Sequence, residues 1–320
     1  MSGPARVLFR DTRIVAPAGP KEQLLDRVLR TAHPGASWAE VRRLVETGKV
    51  SVDGEPERNP QRPVRAGARI EISMTARRRE QSSVLPRGAF VYVDAHVVVV
   101  QKPAGISTVP YKDEPGTLSE LVRAELGTPS GTTQRGRREA PLGVVHRIDK
   151  ETSGLVVFAR TLAAMRALKN QFRFHTVHRR YRAIAHGKLE SRTFTTRLVP
   201  DRGDGRRGST DNPKLGRVAT THIQLLESLG LASLLECRLE TGRTHQIRIH
   251  LAEAGHPLLG ERVYSKGFRG TLLPAPRLML HAQELGFNHP ETERPLRFEQ
   301  PMPDDMLAVL AELRRSSARR

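Results

Sequence analysis

The chain is predicted to be α+β: a mixed, mainly antiparallel central sheet with flanking helices, preceded by a small N-terminal α/β domain. Three observations carry this. Strand-like apolar runs outnumber helical patterns after residue 88, a helix-helix-strand-turn-strand order fills the first 75 residues, and the charged, aperiodic stretch Thr75–Ser83 separates the two. The division that follows is a small domain at 13–75, a linker at 76–87, a main body at 88–302, and a C-terminal helix with a basic tail at 303–320.

In the first domain, Leu24, Leu25, Val28, Leu29 and Ala32 fall on one face of a helix over 21–32. A second helix starts at Ser37, whose hydroxyl and Glu40 form a capping box worth about 1 kcal/mol. Val41, Leu44 and Val45 bury that helix and Gly48 ends it. Lys49–Gly54 reads as a strand running into a turn, and Gly67–Ile72 as a second strand. Arg27, Arg30, Arg42, Arg43 and Lys49 make either a nucleic-acid-facing surface or an ordinary solvated face.

In the main body, Leu155–Ala159 is a continuous apolar run, the pattern of a strand buried on both faces, and Val144 and Val145 lead into the loop before it. Thr161–Phe172 and Thr244–Ala254 are the clearest helices, and Cys237 is expected to face the core from a strand. On the second helix Ile247, Leu251 and Ala254 form the buried stripe, with His245 and Arg248 together on a neighbouring face. Pro129–Pro141 and Pro200–Arg217, basic and rich in Gly, Ser and Pro, read as mobile loops that either clamp phosphates or are disordered decoration, with clamping favoured for the first, which precedes the strand leading to Asp149. Asp304–Leu313 is expected to be the terminal helix.

Composition restricts the partner. The 320 residues carry a formal net charge of +19, an excess that points to a polyanion, and nucleic acid is the natural one. Only 4% of residues are aromatic, so recognition should rest on phosphate and shape rather than on a stacking platform for long single strands. No apolar run reaches the roughly 18 residues of a membrane span, and the first residues lack the apolar core of a signal peptide, which points to a soluble, cytoplasmic protein with no membrane partner. The single Cys excludes an internal disulfide and a cysteine zinc site, and His245 and His250, five apart, do not have zinc-binding helical spacing, so no metal is expected. No phosphate-loop pattern surrounds Gly105 or Gly154, and a glycosidase would need a second facing carboxylate.

The most informative stretch is His146-Arg147-Ile148-Asp149-Lys150-Glu151-Thr152-Ser153-Gly154-Leu155, which sets one carboxylate among cations in a loop between strands. On spacing alone the plainer reading is that Asp149 is a turn residue paired with Arg147 or Lys150. The string, however, resembles the catalytic motif of the RluA-type pseudouridine synthases. Leu239–Leu251 with Gly255–Gly260, Leu280-His281-Ala282 with Phe287–Pro290, Val99–Gly105, and Arg179-Arg180-Tyr181-Arg182-Ala183 resemble further signatures of the same family. The likeness covers about residues 88–302. Gln101, Arg179 and Glu261 stand where Asn, Lys and Asp are usual. The helix-helix-strand-turn-strand order of the first domain is similar to the S4-like RNA-binding domain that many such enzymes carry.

The resemblance implies an RNA uridine isomerase working without a cofactor on a long sheet crossed by the active cleft. It implies Asp149 as the reacting group, attacking the anomeric carbon or abstracting a ribose proton, and Arg248 as its ion-pair partner, with Arg243 a near alternative. It implies Tyr181 as the aromatic residue against the flipped base. Arg147, Arg243 and His245 are the remaining candidates for RNA contact, and His146 for orienting the loop. Ribosomal RNA of the large subunit is the expected target and transfer RNA the alternative, with a monomer as the expected state. From another class, a non-catalytic RNA-binding protein of ribosome assembly fits the charge but not the intact Asp149, Tyr181 and Arg248 set.

Overall fold

The computed structural model describes residues 9–17, 23–57, 60, 62–74, 85–110, 114–127, 142–203 and 205–318. The chain divides into two compact units, Met1–Ser82 and Ser83–Arg320. The first holds β1 (Thr12–Val15), β2 (Gln23–Leu24), α1 (Leu25–Ala32), α2 (Trp38–Glu46), β3 (Val50–Val52), β4 (Glu55–Glu57), β5 (Pro63–Val64) and β6 (Arg69–Ile72). Its sheet runs β1-β6-β3-β4, entirely antiparallel, with β2 and β5 paired separately. The Ser37–Glu40 capping box forms as expected: the Glu40 N–H donates to the Ser37 hydroxyl (3.2 Å) and the Ser37 N–H to the Glu40 carboxylate (2.8 Å). Asp53 and Gly54, with φ 53° and 85°, turn β3 into β4, because a tight hairpin turn of this hand needs positive φ at both central positions.

The first helix departs from its predicted face. Leu24 pairs with Pro63 in extended conformation and is 43% exposed, and Ala32 in the last turn is exposed. The helix starts at Leu25 instead of residue 21, so Leu24 never shares the helical period of Leu25, Val28 and Leu29, which are buried.

The second unit contains β7 (Phe90–Val93), β8 (Val97–Lys102), α3 (Leu118–Glu125), β9 (Gly143–Val144), β10 (Ser153–Ala159), α4 (Leu162–Arg173), β11 (His178–His186), β12 (Arg192–Val199), β13 (Gly208–Thr210), β14 (Arg217–Ser228), β15 (Ala232–Leu239), α5 (Gln246–Glu253), β16 (Leu280–Asn288), β17 (Pro295–Glu299) and α6 (Asp304–Ala318). Eleven strands make one sheet in the order β13-β12-β14-β15-β11-β16-β10-β8-β7, with β17 on β16 and β9 on β10. Every pairing is antiparallel except β10 with β16. The mixed, mainly antiparallel α+β class is therefore present.

The apolar runs are buried on both faces, as their lack of alternation requires. Val97, Val99, Leu155 and Val157 pack with Leu168 of α4, while Val98, Val100, Val156 and Phe158 pack on the other face with Leu118 and Val122 of α3. Each such large side chain contributes about 1.5–3 kcal/mol. Two helices thus clamp the strand that follows the motif loop, and the loop inherits a rigid base.

Three expectations need correction. Residues 200–217 are not a structureless loop: β13 pairs with β12, and the Asp201 carboxylate accepts from the N–H groups of Gly203 and Gly205. The last helix runs to Ala318, well past Leu313, with Met306 and Leu310 buried against Ile184 and Leu259. Leu85, placed by sequence in the linker, packs in the core of the second unit. The segment 129–141, and residues 76–84 of the expected linker, lie outside the described residues.

Candidate active site

Asp149 lies between β9 and β10. Because Val144 pairs back with Phe158, residues 145–152 must loop out and return, and both flanks of Asp149 are tied down. Upstream, the buried Thr108 hydroxyl donates to the Ile148 carbonyl (2.9 Å) and accepts from its N–H (3.3 Å). Downstream, the Lys150 carbonyl accepts from the fully buried Lys102 ammonium (2.9 Å) and from the Gly105 N–H (2.8 Å). At the entrance to the loop, His146 stacks on Phe172 at 4.4 Å between ring centres, and its Nε2 accepts from the Val157 N–H (3.0 Å). Burial, helped by the Arg179 charge, pushes the His146 pKa down to about 3, so the ring is neutral and holds its proton on Nδ1.

The carboxylate itself faces two basic side chains. Arg248 Nη1 stands 3.6 Å from one Asp149 oxygen and His245 Nε2 stands 3.9 Å from the other. Lys150 is not its partner, since Lys150 pairs instead with Glu114 at 2.7 Å. Arg243 is not the partner: its Nε donates to the Val218 carbonyl at 3.0 Å, although it lines the same cavity.

Arg248 is held by a residue that the sequence marked only as a departure from the family's usual Asp. Glu261 grips it through two hydrogen bonds of 2.7 Å and also accepts from the Val263 N–H at 2.8 Å. Burial opposes the charge on both groups, yet their mutual attraction wins, so the arginine pKa is raised and the glutamate pKa lowered. Tyr264 lies under the guanidinium at 5.3 Å and its hydroxyl meets His245 Nδ1 at 2.7 Å. Burial pushes the Tyr264 pKa up to about 12, which keeps that hydroxyl protonated. His245 is pushed toward the neutral form by burial, against the Asp149 charge.

Two details of α5 differ from expectation. His245 precedes the helix with φ 58°, a left-handed conformation costly for a residue with a Cβ, so it reaches Asp149 by backbone geometry and not by sharing a helix face with Arg248. The helix has no single buried stripe: Gln246 through Leu251 are all buried and Ala254 is only partly so.

Tyr181 of β11 lies near the middle of the sheet and, with Arg147, Arg179, Arg243, His245 and Arg248, lines a cavity of about 490 Å³ around Asp149. Burial is the main cause raising the Tyr181 pKa. Arg147 is exposed at the edge of this cavity. In the other unit, Arg27 and Arg43 are exposed, Arg42 is tied to the buried Asp26 (3.3 Å), and the Lys49 ammonium donates to the Met74 carbonyl (2.6 Å). Arg30 is spent on the end of α1, donating to the Pro34 carbonyl. Among the described residues no cluster of His, Cys, Asp and Glu could hold a metal ion, and no helix is long and apolar enough to cross a membrane.

Glu261→Gln should therefore leave a buried guanidinium half-compensated and lower stability by about 3 kcal/mol. All four tyrosines belong to the second unit and the single Trp38 to the first, so near-ultraviolet tyrosine dichroism during urea unfolding measures this effect in the right unit. An unshifted midpoint would show that Arg248 does not depend on Glu261.

Residues 96–253 match the RNA pseudouridylate synthase family and residues 23–70 match the S4 domain. The chain is 36% identical over 319 residues to ribosomal large subunit pseudouridine synthase D of Xanthomonas campestris pv. campestris, covering 95% of this chain and 93% of that one. It is 39% identical over 303 residues to an uncharacterized RNA pseudouridine synthase of Chloroflexus aurantiacus, covering 94% and 93%. In fold it is similar to human RNA pseudouridylate synthase domain containing 4, with a TM-score of 0.55 and 24% identity over 71% of this chain and 93% of that one. A charged pocket across the middle of a mixed sheet, an S4 domain ahead of it and relatives matched along almost their whole length agree: this chain belongs to the RNA pseudouridylate synthase family.

Proposed function

We propose that this protein isomerises uridine in large-subunit ribosomal RNA, with Asp149 as the reacting carboxylate. The observation that carries the chemistry is a carboxylate fixed on both flanks, facing Arg248 and His245 inside a cavity large enough for a nucleoside. The reaction breaks the bond from ribose to the ring nitrogen and rejoins the base through a ring carbon; the hydrogen on that carbon is released to solvent and the freed nitrogen takes up a proton, so the composition is unchanged and no second substrate is consumed. Asp149 acts in its charged form, either bonding to the anomeric carbon as nitrogen leaves or taking the neighbouring ribose proton. Arg248, aimed by Glu261, sets its positive charge 3.6 Å from that carboxylate. Tyr181 packs against the flipped base, and burial keeps its hydroxyl protonated there.

His245, held by Tyr264, supplies the second contact to Asp149, at the carboxylate oxygen that Arg248 does not face. Arg147 and Arg243 at the cavity meet the RNA, and Arg27, Arg42, Arg43 and Lys49 of the S4 domain bind it elsewhere through phosphate contacts. Such contacts offset the few kcal/mol needed to extrude a nucleotide from a helix. The protein acts as a monomer in the cytoplasm. The ribosomal target is supported by the names of relatives matched over more than nine-tenths of their length. Mapping pseudouridine in a strain lacking this gene tests it: sites should disappear from large-subunit ribosomal RNA and return with the wild-type gene. Sites lost only from transfer RNA would transfer the assignment there.

A further inference from the structure

The residue that caps the C-terminus of α4 presents a side chain that the isomerisation chemistry does not use. Phe174 is 68% exposed, more than any other large hydrophobic residue described. Single exposed apolar residues are ordinary, but this one sits between Arg173 and His175, both of which line the Asp149 cavity. The Phe174 ring is not itself part of that lining and stands beside it, next to Arg173. The guanidinium of Arg173 lies over it at 5.7 Å.

The turn is also rigid. The Phe174 N–H donates to the Asn170 carbonyl (2.8 Å) and the Thr176 N–H to the Gln171 carbonyl (3.0 Å), while His175 takes the left-handed conformation at φ 60°. The Gln171 side chain fastens the end of the helix to β16, donating to the Asn288 carbonyl and accepting from the Asn288 N–H, each at 2.8 Å. A strained non-glycine turn thus holds an aromatic ring outward, and no packing in this unit is gained by its exposure. Arg166, Lys169 and Arg173, all exposed at helical spacing, give α4 a cationic outer face that ends at this ring.

We propose that Phe174, together with Arg173, is a stacking subsite for an unpaired RNA base adjoining the uridine that enters the cavity. The proposal rests on the reading that a flipped uridine occupies that cavity. Extruding one nucleotide unstacks its neighbours, and an aromatic face with a guanidinium plane is the surface that single-stranded bases select. A phosphate fits the turn less well, because helix C-terminal carbonyls carry partial negative charge. The low aromatic content is compatible with this, since one ring serves one base.

The test uses the full-length protein and RNA tritiated at carbon five of uridine, isolated from cells lacking this protein so that the natural target is present unmodified. Phe174→Ala and Phe174→Leu should each raise both Kd by filter binding and KM for tritium release about tenfold, with kcat little changed. Phe174→Trp should behave as wild type, because it keeps a stacking face. Unchanged Kd and KM in Phe174→Ala would overturn the subsite, as would full function in Phe174→Leu, which would make the contact merely apolar. Failure of the wild type to release tritium would instead count against the isomerase reading, and the Kd comparison separates that failure from loss of the subsite.

Discussion

Asp149→Asn should reduce tritium release from uridine-labelled RNA by at least about a thousandfold while RNA affinity stays near that of the wild type. The substitution keeps the shape of the side chain and removes its charge. Arg248 does not depend on that charge for its position, since Glu261 holds it through two hydrogen bonds of 2.7 Å whereas Asp149 stands 3.6 Å away. The loop does not depend on it either, since Thr108, Lys102 and Gly105 bind the main chain of its neighbours. Loss of turnover without loss of folding is therefore the signature of a reacting group. Single-turnover measurement at saturating enzyme separates the chemical step from binding. Turnover within about tenfold of wild type would remove Asp149 from the chemistry and leave Arg248 as an RNA contact alone.

What could be read from the sequence follows the range of the interaction concerned. The buried strand after the motif was legible because continuous apolar character in Leu155–Ala159 has only one structural solution, cover on both faces, and α3 and α4 provide it. The Asp149 and Arg248 pair was legible through two motifs, although they lie 3.6 Å apart only because α5 is brought beneath the loop. Glu261 was not legible as a ligand of Arg248: it lies beyond the end of α5 in irregular backbone, where no periodicity predicts which way a side chain turns. The left-handed His245 was hidden for a related reason, since the helical pattern runs through it uninterrupted and only the tertiary contact with Tyr264 shows the break. In the 200–217 segment Gly and Ser signalled a loop, yet strand pairing with β12 overrode local composition. Leu24 failed in the opposite direction, an apolar residue in phase with a helix that had not yet begun.

Gly154→Ala is expected to be among the most destructive single methyls in the described residues, where only Gly260, against the Arg277 backbone, faces a comparable clash. Gly154 closes the motif loop at the start of β10, with φ 120°, a conformation that strains any residue carrying a Cβ. At this residue β10 meets β16 in the sheet's parallel contact, Gly154 opposite Ala282. A Cβ there would stand 2.2 Å from the Ala282 carbonyl oxygen and 2.6 Å from its nitrogen, both backbone atoms with no rotamer to escape into. The sheet can relieve the clash only by separating the two strands, which would break the Ser153–His281 hydrogen bond (2.9 Å) and release the loop that carries Asp149. Overpacking against side chains costs about 1–3 kcal/mol, and a clash with fixed backbone at positive φ should exceed that range. The expected result is a second unit that fails to fold at physiological temperature, or that unfolds far below the wild type when followed by tyrosine dichroism, while the Trp38 signal of the first unit is unchanged. A Gly154→Ala protein with wild-type stability would mean that β10 and β16 can part without cost, and the rigid base on which the placement of Asp149 rests would be lost with it.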